Sequence, residues 1–376
     1  MRVVIAIDSF KGSLSSLEAG EAAAKGIKKA DNKIETIVCP LADGGEGTVE
    51  ALTAGMGGKI ETITVTNPLG EKIKGQYGIV EKTAIIEMAA AAGITLIPPE
   101  QRNPLYTTTY GVGEMIKDAI QKGCRRFIIG IGGSATNDGG IGMLQALGYG
   151  LLDKNQKQVC YGALGLSELQ NITMENVLPE LKECTFHIAC DVTNPLCGKE
   201  GCSAIFGPQK GATNEMIQNM DKWLENYAVL AKNIIPKADS TFTGTGAAGG
   251  LGFAFLTFTN AVLESGIDIV LRETNLEDKI KTADVVVTGE GRLDKQTVMG
   301  KAPIGVAKLA KKYNKTVIAF AGSVTREATV CNENGIDAYF PILREIVTLE
   351  DAIQKDLAIQ NMVETSEQVF RLYLSK

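Results

Sequence analysis

Several short stretches of the sequence combine glycine with carboxylate, amide and ammonium side chains, a mixture that suits the binding of phosphate groups. The richest is GIGGSATNDGGIG, from Gly130 to Gly142, at the end of the apolar run FIIGI. A strand that ends in small residues leaves backbone N–H groups uncovered, and these can bind phosphate oxygens. We therefore predict that Gly132, Gly133 and Ser134 bind the phosphates of a nucleotide. A tight turn that binds nothing explains this single loop about equally well.

Other stretches of similar composition occur along the chain. They are DSFKGS (8–13), ADGGEGT (42–48), CDVTNPLCG (190–198), GPQKGA (207–212), GTGAAGGLG (244–252) and TGEGRLDKQT (288–297). Each carboxylate taken singly is explained more simply as a helix cap or a loop hydrogen-bond acceptor. In a doubly wound sheet, however, the carboxyl ends of the strands share one edge, so the loops are expected to meet in one crevice. Clustered acids need a cation, and Mg²⁺ held by one or two carboxylates and nucleotide phosphates meets that need.

The glycine loop also matches the dinucleotide fingerprint, as Gly130-x-Gly132-x-x-Ala135, with Asp153 where a ribose-binding acid belongs. This alternative predicts an NAD-dependent oxidoreductase. It requires a helix that begins within the loop, where Gly139 and Gly140 would each cost about 0.5–1 kcal/mol relative to Ala. We therefore regard the match as coincidental. A non-catalytic metabolite-binding protein with the same loops is a further alternative.

The elements that must position these loops form two patterns. RVVIAID, a helix over 15–30 and IETIVC read as a β-α-β unit, and ADVVVTGEG, TVIAFAG and DAYFPI alternate with helices near the C-terminus. Short apolar strands that alternate with helices indicate a parallel sheet covered on both faces. Between them, 61–89 reads as antiparallel strands with turns at 67–70 and 81–82, followed by helices over 110–122, 140–147, 214–233 and 249–264.

The fold predicted from these patterns is α/β. A discontinuous Rossmann or flavodoxin-like parallel-sheet domain comprises 1–62 and 283–376, and a mixed α/β domain of 63–282 is inserted into it. The length of 376 residues suits two domains. The active site is expected in the cleft between them.

The composition excludes several classes of protein. A net charge of −6 provides no basic field for nucleic acid or an anionic membrane. The start MRVVIAIDSFKG lacks the features of a signal peptide, and no apolar run approaches the ~20 residues that span a bilayer, so a cytoplasmic location is expected.

Eight scattered cysteines without a C-x-x-C pair are expected to be reduced. The single histidine, His187, alternates with apolar neighbours in a predicted strand, which argues against Ser-His-Asp hydrolysis.

Taken together and in this order, DSFKGSLS, ADGGEGT, GIGGSATNDGG, DVTNPLCG, FGPQKGAT, AAGGLG and TGEGRLDKQT…GK resemble the type I glycerate kinase family. The resemblance covers essentially the whole chain and implies ATP-dependent, Mg²⁺-dependent phosphorylation of D-glycerate. Bacterial members resemble 2-phosphoglycerate producers, so 2-phospho-D-glycerate is the expected product and 3-phosphoglycerate the alternative. D-Glycerate and ATP are the expected partners, without nucleic acid or membrane, and the sequence leaves open a homo-oligomer.

For the implied reaction, we assign roles from side-chain chemistry. Asp191, which follows a strand and precedes the turn TNP, is the predicted base, and Lys11 is predicted to stabilise transition-state charge. Arg292 is predicted to hold the glycerate carboxylate by two hydrogen bonds, with Asn194 as a second substrate-binding residue. The predicted metal ligands are Asp8 and Asp43. The remaining predicted cleft residues, which carry no assigned role, are Gln209, Lys210, Lys301, Asp138, Glu290 and Asp294.

Overall fold

A computed structural model of the protein describes residues 1–42, 44–298 and 301–375. The described residues of Met1–Asp43, Glu50–Gly57 and Ile267–Lys376 form one compact unit, called unit 1. Those of Gly44–Val49 and Gly58–Gly266 form unit 2. None of the helices formed by the described residues combines the length and the apolar character that crossing a bilayer requires.

Strands and helices alternate along most of the chain. The strands are β1 Arg2–Ile7, β2 Glu35–Val38, β3 Lys59–Thr66, β4 Lys72–Val80, β5 Thr83–Glu87, β6 Arg126–Gly130, β7 Gly150–Leu152, β8 Asn171–Thr173, β9 Thr185–Ala189, β10 Ala261–Glu264, β11 Val285–Leu293, β12 Thr316–Val324 and β13 Ala338–Pro341. The α-helices are α1 Ser16–Ala30, α2 Thr48–Gly55, α3 Ala89–Ala92, α4 Tyr110–Gln121, α5 Ile141–Ala146, α6 Ala163–Glu168, α7 Cys202–Phe206, α8 Asn214–Ile234, α9 Ala247–Phe258, α10 Gly266–Glu273, α11 Leu276–Lys281, α12 Ala302–Lys312, α13 Val330–Glu333, α14 Leu349–Ala352 and α15 Lys355–Leu374.

Unit 1 is built on a parallel sheet of order β13-β12-β11-β1-β2. Its central strands are apolar and β-branched, because both faces of the sheet are covered. Val3, Ile5 and Ile7 face a core to which α1 and α15 contribute, while α12 contacts β1 and β11. The start of α1 is fixed by a capping box in which Ser15 and Glu18 satisfy each other's backbone N–H groups.

Unit 2 is built on a mixed sheet of order β10-β9-β6-β5-β4-β3. The pairs β3–β4 and β4–β5 are antiparallel, and β5, β6, β9 and β10 run parallel. The predicted turn at 67–70 is present, since the Asn67 side-chain oxygen accepts hydrogen bonds from the N–H groups of Leu69 and Glu71. The rings of Phe127 and Phe186 stack in the core at a centroid distance of 4.7 Å.

The predicted α/β fold with one parallel and one mixed sheet is confirmed, and two of its elements need correction. The helix expected over 249–264 ends at Phe258, and 261–264 forms β10 beside β9. The run FLTFTNAVLE contains no Gly or Pro, and a short apolar run does not distinguish helix from strand by periodicity. The long C-terminal helix α15, which packs against α1, was not among the predicted elements.

Candidate active site

The first group of predicted site residues lies in unit 1, where β1 and β11 run side by side. Ile7 pairs with Gly289, and the Asp8 N–H group donates a hydrogen bond of 2.9 Å to the Gly289 carbonyl oxygen. Asp8 therefore stands where β1 ends, at the carboxyl edge of the sheet. A Cβ atom on Gly291 would lie 3.6 Å from the backbone nitrogen of Lys11. Two of the predicted loops, DSFKGS and TGEGRLDKQT, are thus brought together.

Glu290 is a largely buried carboxylate in the middle of this group. The Thr297 hydroxyl donates a 2.7 Å hydrogen bond to its Oε1, and the Lys301 Nζ lies 3.5 Å from its Oε2. Burial raises the pKa of Glu290 above its ordinary value, and the contacts with Thr297 and Lys301 partly oppose that rise. The contacts with Thr297 and Lys301 therefore do not fully offset the cost of burying the ionised Glu290 carboxylate. A further cation beside Glu290 would stabilise its ionised form.

Arg292 and Asp294 continue along the same segment. Residues two apart in a strand share a face, so Arg292 lies on the same face of β11 as Glu290. Its side chain is 65% exposed, and its Nε is 3.5 Å from Asp294 Oδ2. Asp294 also accepts a hydrogen bond from the Gln296 N–H group, which shapes the turn that carries Thr297. The guanidinium is therefore positioned at this edge with most of its donors directed to solvent.

The donor chemistry in unit 1 suits a magnesium ion, although one predicted ligand, Asp43, lies outside the described residues. Within the described part of the chain, no three His, Cys, Asp or Glu side chains form a group that could hold a metal by themselves. Mg²⁺ commonly takes only one or two protein carboxylates and completes its shell with phosphate oxygens and water. Two buried carboxylates fit that pattern: Asp8, directly after β1, and Glu290, on the neighbouring strand β11.

The second group lies in unit 2, at the carboxyl edge of the mixed sheet. A Cβ atom on Gly130 would lie 2.2 Å from the Gly44 carbonyl oxygen, and one on Gly44 would lie 2.6 Å from the Ala189 Cβ. Gly44 therefore packs against the ends of β6 and β9 so closely that neither it nor Gly130 has room for a Cβ atom. This close approach requires glycine at both positions.

The loop after β6 leaves two glycines uncovered. The Gly133 carbonyl oxygen accepts from the Ile94 N–H group, and the Ala135 N–H group donates to Ala92, so one side of the loop is tied to the segment after α3. Gly132 and Gly133 themselves are exposed. Their position agrees with the predicted phosphate-binding role, which stays a prediction.

The same loop does not have the geometry of a dinucleotide fingerprint. Helix α5 begins only at Ile141, after Gly139 and Gly140 have both adopted positive φ angles of 63° and 78°. The Asp153 side chain accepts hydrogen bonds from the N–H groups of Asn155 and Lys157, so it closes its own turn. The oxidoreductase alternative therefore loses both features on which it depended.

Lys210 and Asp138 hold this loop from its buried side. The Lys210 ammonium donates to Ser134 Oγ at 2.8 Å and to the Thr136 carbonyl oxygen at 2.6 Å. Asp138 Oδ2 accepts from both the N–H and the hydroxyl of Thr109. Burial lowers the pKa of Lys210 to about 8 and raises the pKa of Asp138. Both side chains thus place ionisable groups in the interior of unit 2, where their hydrogen bonds fix the loop.

Asp191, the predicted base, is exposed just beyond the end of β9. Its Oδ1 accepts a 3.2 Å hydrogen bond from the Gly266 N–H group. The Asn194 side chain donates to the Glu200 carbonyl oxygen, and the Asn194 backbone carbonyl oxygen accepts from the Gly246 N–H group, which joins the stretches DVTNPLCG and GTGAAGGLG. Gln209 is exposed in the short turn that carries Lys210.

Two residues that the sequence analysis did not single out belong to these groups. Glu87 ends β5, and its Oε1 accepts a 2.8 Å hydrogen bond from the Val49 N–H group; burial raises its pKa. It could have been found by the rule used for Asp191, because it is an acid at the end of an apolar strand. Thr288 has a buried hydroxyl without a hydrogen-bond partner among the described residues, on the same face of β11 as Glu290.

The predicted residues therefore fall into two groups, one in each unit. The group in unit 1 contains Asp8, Lys11, Glu290, Arg292, Asp294 and Lys301. The group in unit 2 contains Gly132, Gly133, Ser134, Asp138, Asp191, Asn194, Gln209 and Lys210.

Comparison with known proteins identifies the family. Residues 3–374 match the family model described as the glycerate kinase family. The chain is 49% identical to the glycerate 2-kinase of Escherichia coli K12 over 94% of its length and 93% of that protein. It is 48% identical to a glycerate kinase of Haemophilus influenzae, with both chains covered completely. A crystal structure assigned as glycerate kinase 2 of Salmonella typhimurium LT2 superposes with a TM-score of 0.92 at 46% identity, covering 100% of this chain and 98% of that one. The resemblance noted from the motifs is thus confirmed, and the chain belongs to the glycerate kinase family.

Proposed function

We propose that the protein transfers the γ-phosphoryl group of ATP to the 2-hydroxyl of D-glycerate, giving 2-phospho-D-glycerate and ADP. The observation that carries the proposal is the match of nearly the whole chain, residues 3–374, to the glycerate kinase family. A 49% identical relative bears the name glycerate 2-kinase, which favours the 2-hydroxyl over the 3-hydroxyl. Formation of 3-phosphoglycerate is the alternative product for the same site.

The group in unit 2 is assigned to the nucleotide and to the transferred proton. The N–H groups of the exposed residues Gly132 and Gly133 and the Ser134 hydroxyl bind phosphate oxygens of ATP. Asp191 accepts the proton of the glycerate hydroxyl as its oxygen bonds to the γ-phosphorus. The bond between that phosphorus and the bridging oxygen breaks, and ADP leaves with the electron pair.

The group in unit 1 is assigned to charge and to the acid substrate. Arg292 has exposed donors that can grip the glycerate carboxylate in a fork, with Asn194 of unit 2 as a second substrate contact. Lys11 is assigned to the charge that develops on the transferred phosphoryl oxygens. Asp8 and Asp43 are the proposed ligands of Mg²⁺, which would neutralise phosphate charge when bound. Catalysis then consists mostly of positioning and charge stabilisation.

Several further expectations stay predictions. They are the use of Mg²⁺, the division at 1–62, 63–282 and 283–376 with the active site between the domains, the cytoplasmic location, and the absence of nucleic acid as a partner.

The proposal is tested by incubating the protein with MgATP and D-glycerate and following the reaction by phosphorus NMR. The 2-phosphate ester is attached to a CH group, so its phosphorus couples to one proton, whereas the 3-phosphate couples to the two protons of a CH₂ group. A doublet that grows together with ADP is the expected result. A triplet would assign the 3-hydroxyl, and ADP release that does not depend on glycerate would reject the activity.

A further inference from the structure

Lys210 is a buried charged side chain of unit 2, and the proposed chemistry gives no reason for its burial. It is only 2% exposed, and its hydrogen-bond partners, Ser134 Oγ and the Thr136 carbonyl oxygen, are both neutral. Burial of an ammonium group without a carboxylate in direct contact is costly, and an apolar side chain of similar length would fill the same space. A contribution to stability therefore does not account for a lysine at this position.

The hydrogen-bond chemistry of the pair constrains the Ser134 proton. An ammonium group has three donors and no acceptor. In the 2.8 Å contact between Lys210 Nζ and Ser134 Oγ, the serine oxygen must therefore accept, and its own hydrogen must be directed away from the lysine. Ser134 directly follows Gly132 and Gly133, whose backbone is exposed. A hydroxyl whose lone pair is engaged by a cation is also a stronger donor to an anion, because hydrogen bonds in a chain polarise one another.

We propose that Lys210 is a positioning residue, which fixes the Ser134 hydroxyl so that it donates its proton to an anionic phosphate oxygen of the nucleotide. The inference rests on the proposed function for the identity of the ligand. It assigns Lys210 an indirect role, through Ser134, rather than a contact with the substrate.

Deprotonation of Lys210 should release this constraint. A neutral amine has a lone pair, so it can accept the Ser134 hydrogen and turn the hydroxyl away from the ligand. The titratable groups that act on Lys210 are Cys202, on α7, and Asp138, in the loop before α5; both favour the charged lysine, but desolvation outweighs them and lowers the Lys210 pKa to about 8. Nucleotide affinity is therefore expected to decrease as the pH rises through this region.

The test is calorimetric titration of the full-length protein with MgADP and, separately, with D-glycerate between pH 6.5 and 9.5. Lys210→Met and Ser134→Ala should each weaken MgADP binding at pH 7 by about tenfold, the loss expected for one charge-assisted hydrogen bond. D-Glycerate affinity should change less than about twofold, and the double variant should bind MgADP about as weakly as Lys210→Met alone, because both act through one hydroxyl. Lys237→Met is the matched control, since that ammonium donates to the Thr259 carbonyl oxygen instead.

The pH profile separates positioning from mere structural support. The wild-type protein should lose MgADP affinity through about pH 8, whereas Lys210→Met and Ser134→Ala should bind with a flat profile over that range. If Lys210→Met fails to fold, the profile of Ser134→Ala decides the question alone. A step that persists in Ser134→Ala, or a loss of D-glycerate affinity in place of MgADP affinity, would overturn the assignment. If the wild-type protein itself binds no MgADP, the proposed function fails as well.

Discussion

Gly130, at the end of β6, faces the carbonyl oxygen of Gly44 so closely that a Cβ atom on Gly130 would lie 2.2 Å from that oxygen. Two residues later the situation differs, because a Cβ atom on Gly132 would meet its nearest neighbour, the Gly45 Cα, at an ordinary contact distance of 3.6 Å. The two glycines of the GIG triplet are therefore required for different reasons. Gly130 is required by packing, whereas Gly132 leaves the exposed surface of the loop open.

The first prediction uses this difference. Gly130→Ala should lower the free energy of unfolding by about 1–3 kcal/mol, because the added methyl group forces the two backbone segments apart. Gly132→Ala should change it by less than about 0.5 kcal/mol and yet weaken MgADP binding about tenfold, since the methyl group would obstruct the proposed phosphate site. Urea unfolding and calorimetric titration measure the two effects. Normal nucleotide binding by Gly132→Ala would remove this loop from the site.

The second prediction concerns Asp191 as the base. Asp191→Asn should lower kcat by about 10²-fold or more, because the amide cannot accept the hydroxyl proton, while MgADP affinity stays within about twofold. Steady-state kinetics with D-glycerate and calorimetric titration provide the two values. Asp153→Asn is the control, since the Asp153 side chain closes a turn of its own. Unchanged turnover of Asp191→Asn would assign the base to another residue.

The sequence predicted the parallel strands and their terminal loops because both signals are local. Continuous apolar runs such as VVIAI and VVVTG indicate buried parallel strands, and the glycine and carboxylate residues that follow them mark the carboxyl edge. Strand β10 was not predicted, because local signals do not distinguish its four residues from a continuation of helix α9. Only the pairing of β10 with β9, which is distant in the chain, makes these residues a strand.

The environment of each candidate side chain could not be read from the sequence. Lys210 and Asp138 occur in glycine-rich stretches like those of Lys11 and Asp191, but the tertiary fold buries the first two and exposes the others. Burial depends on packing between segments distant in the chain, as in the 76-residue separation of Ser134 and Lys210. Composition therefore identified the loops, and only the structure distinguished supporting residues from exposed ones.

The third prediction concerns Arg292 and the substrate carboxylate. Arg292→Lys should raise the KM for D-glycerate about tenfold, because an ammonium group cannot make the two parallel hydrogen bonds of a guanidinium. The KM for ATP and kcat should change less than about threefold if the residue contributes only ground-state binding. Arg371→Lys, which alters a surface pair with Glu367 on α15, is the control. An unchanged KM for D-glycerate would contradict the assignment.

The fourth prediction concerns the buried carboxylate of Glu290. Glu290→Gln keeps an acceptor for the Thr297 hydroxyl but removes the charge that burial disfavours, so the free energy of unfolding should rise by about 1 kcal/mol at pH 8. Turnover should fall at least about tenfold, since the same charge is placed beside the proposed Asp8 metal site and Lys301. Glu35→Gln, which breaks the exposed pair with Arg2, should leave turnover unchanged and cost less than about 1 kcal/mol of stability.

The pH dependence of the Glu290→Gln effect identifies the buried charge as its cause. Because the Glu290 pKa is raised in the folded protein, the folded state binds the proton more tightly than the unfolded state. Wild-type stability therefore decreases, relative to the variant, as the pH rises from the unfolded pKa through the folded one. The advantage of Glu290→Gln should be greatest above the folded pKa and should disappear in acid, as measured by urea unfolding at a series of pH values. A variant that is less stable than the wild type at pH 8 would show that Lys301 and Thr297 fully compensate the buried charge.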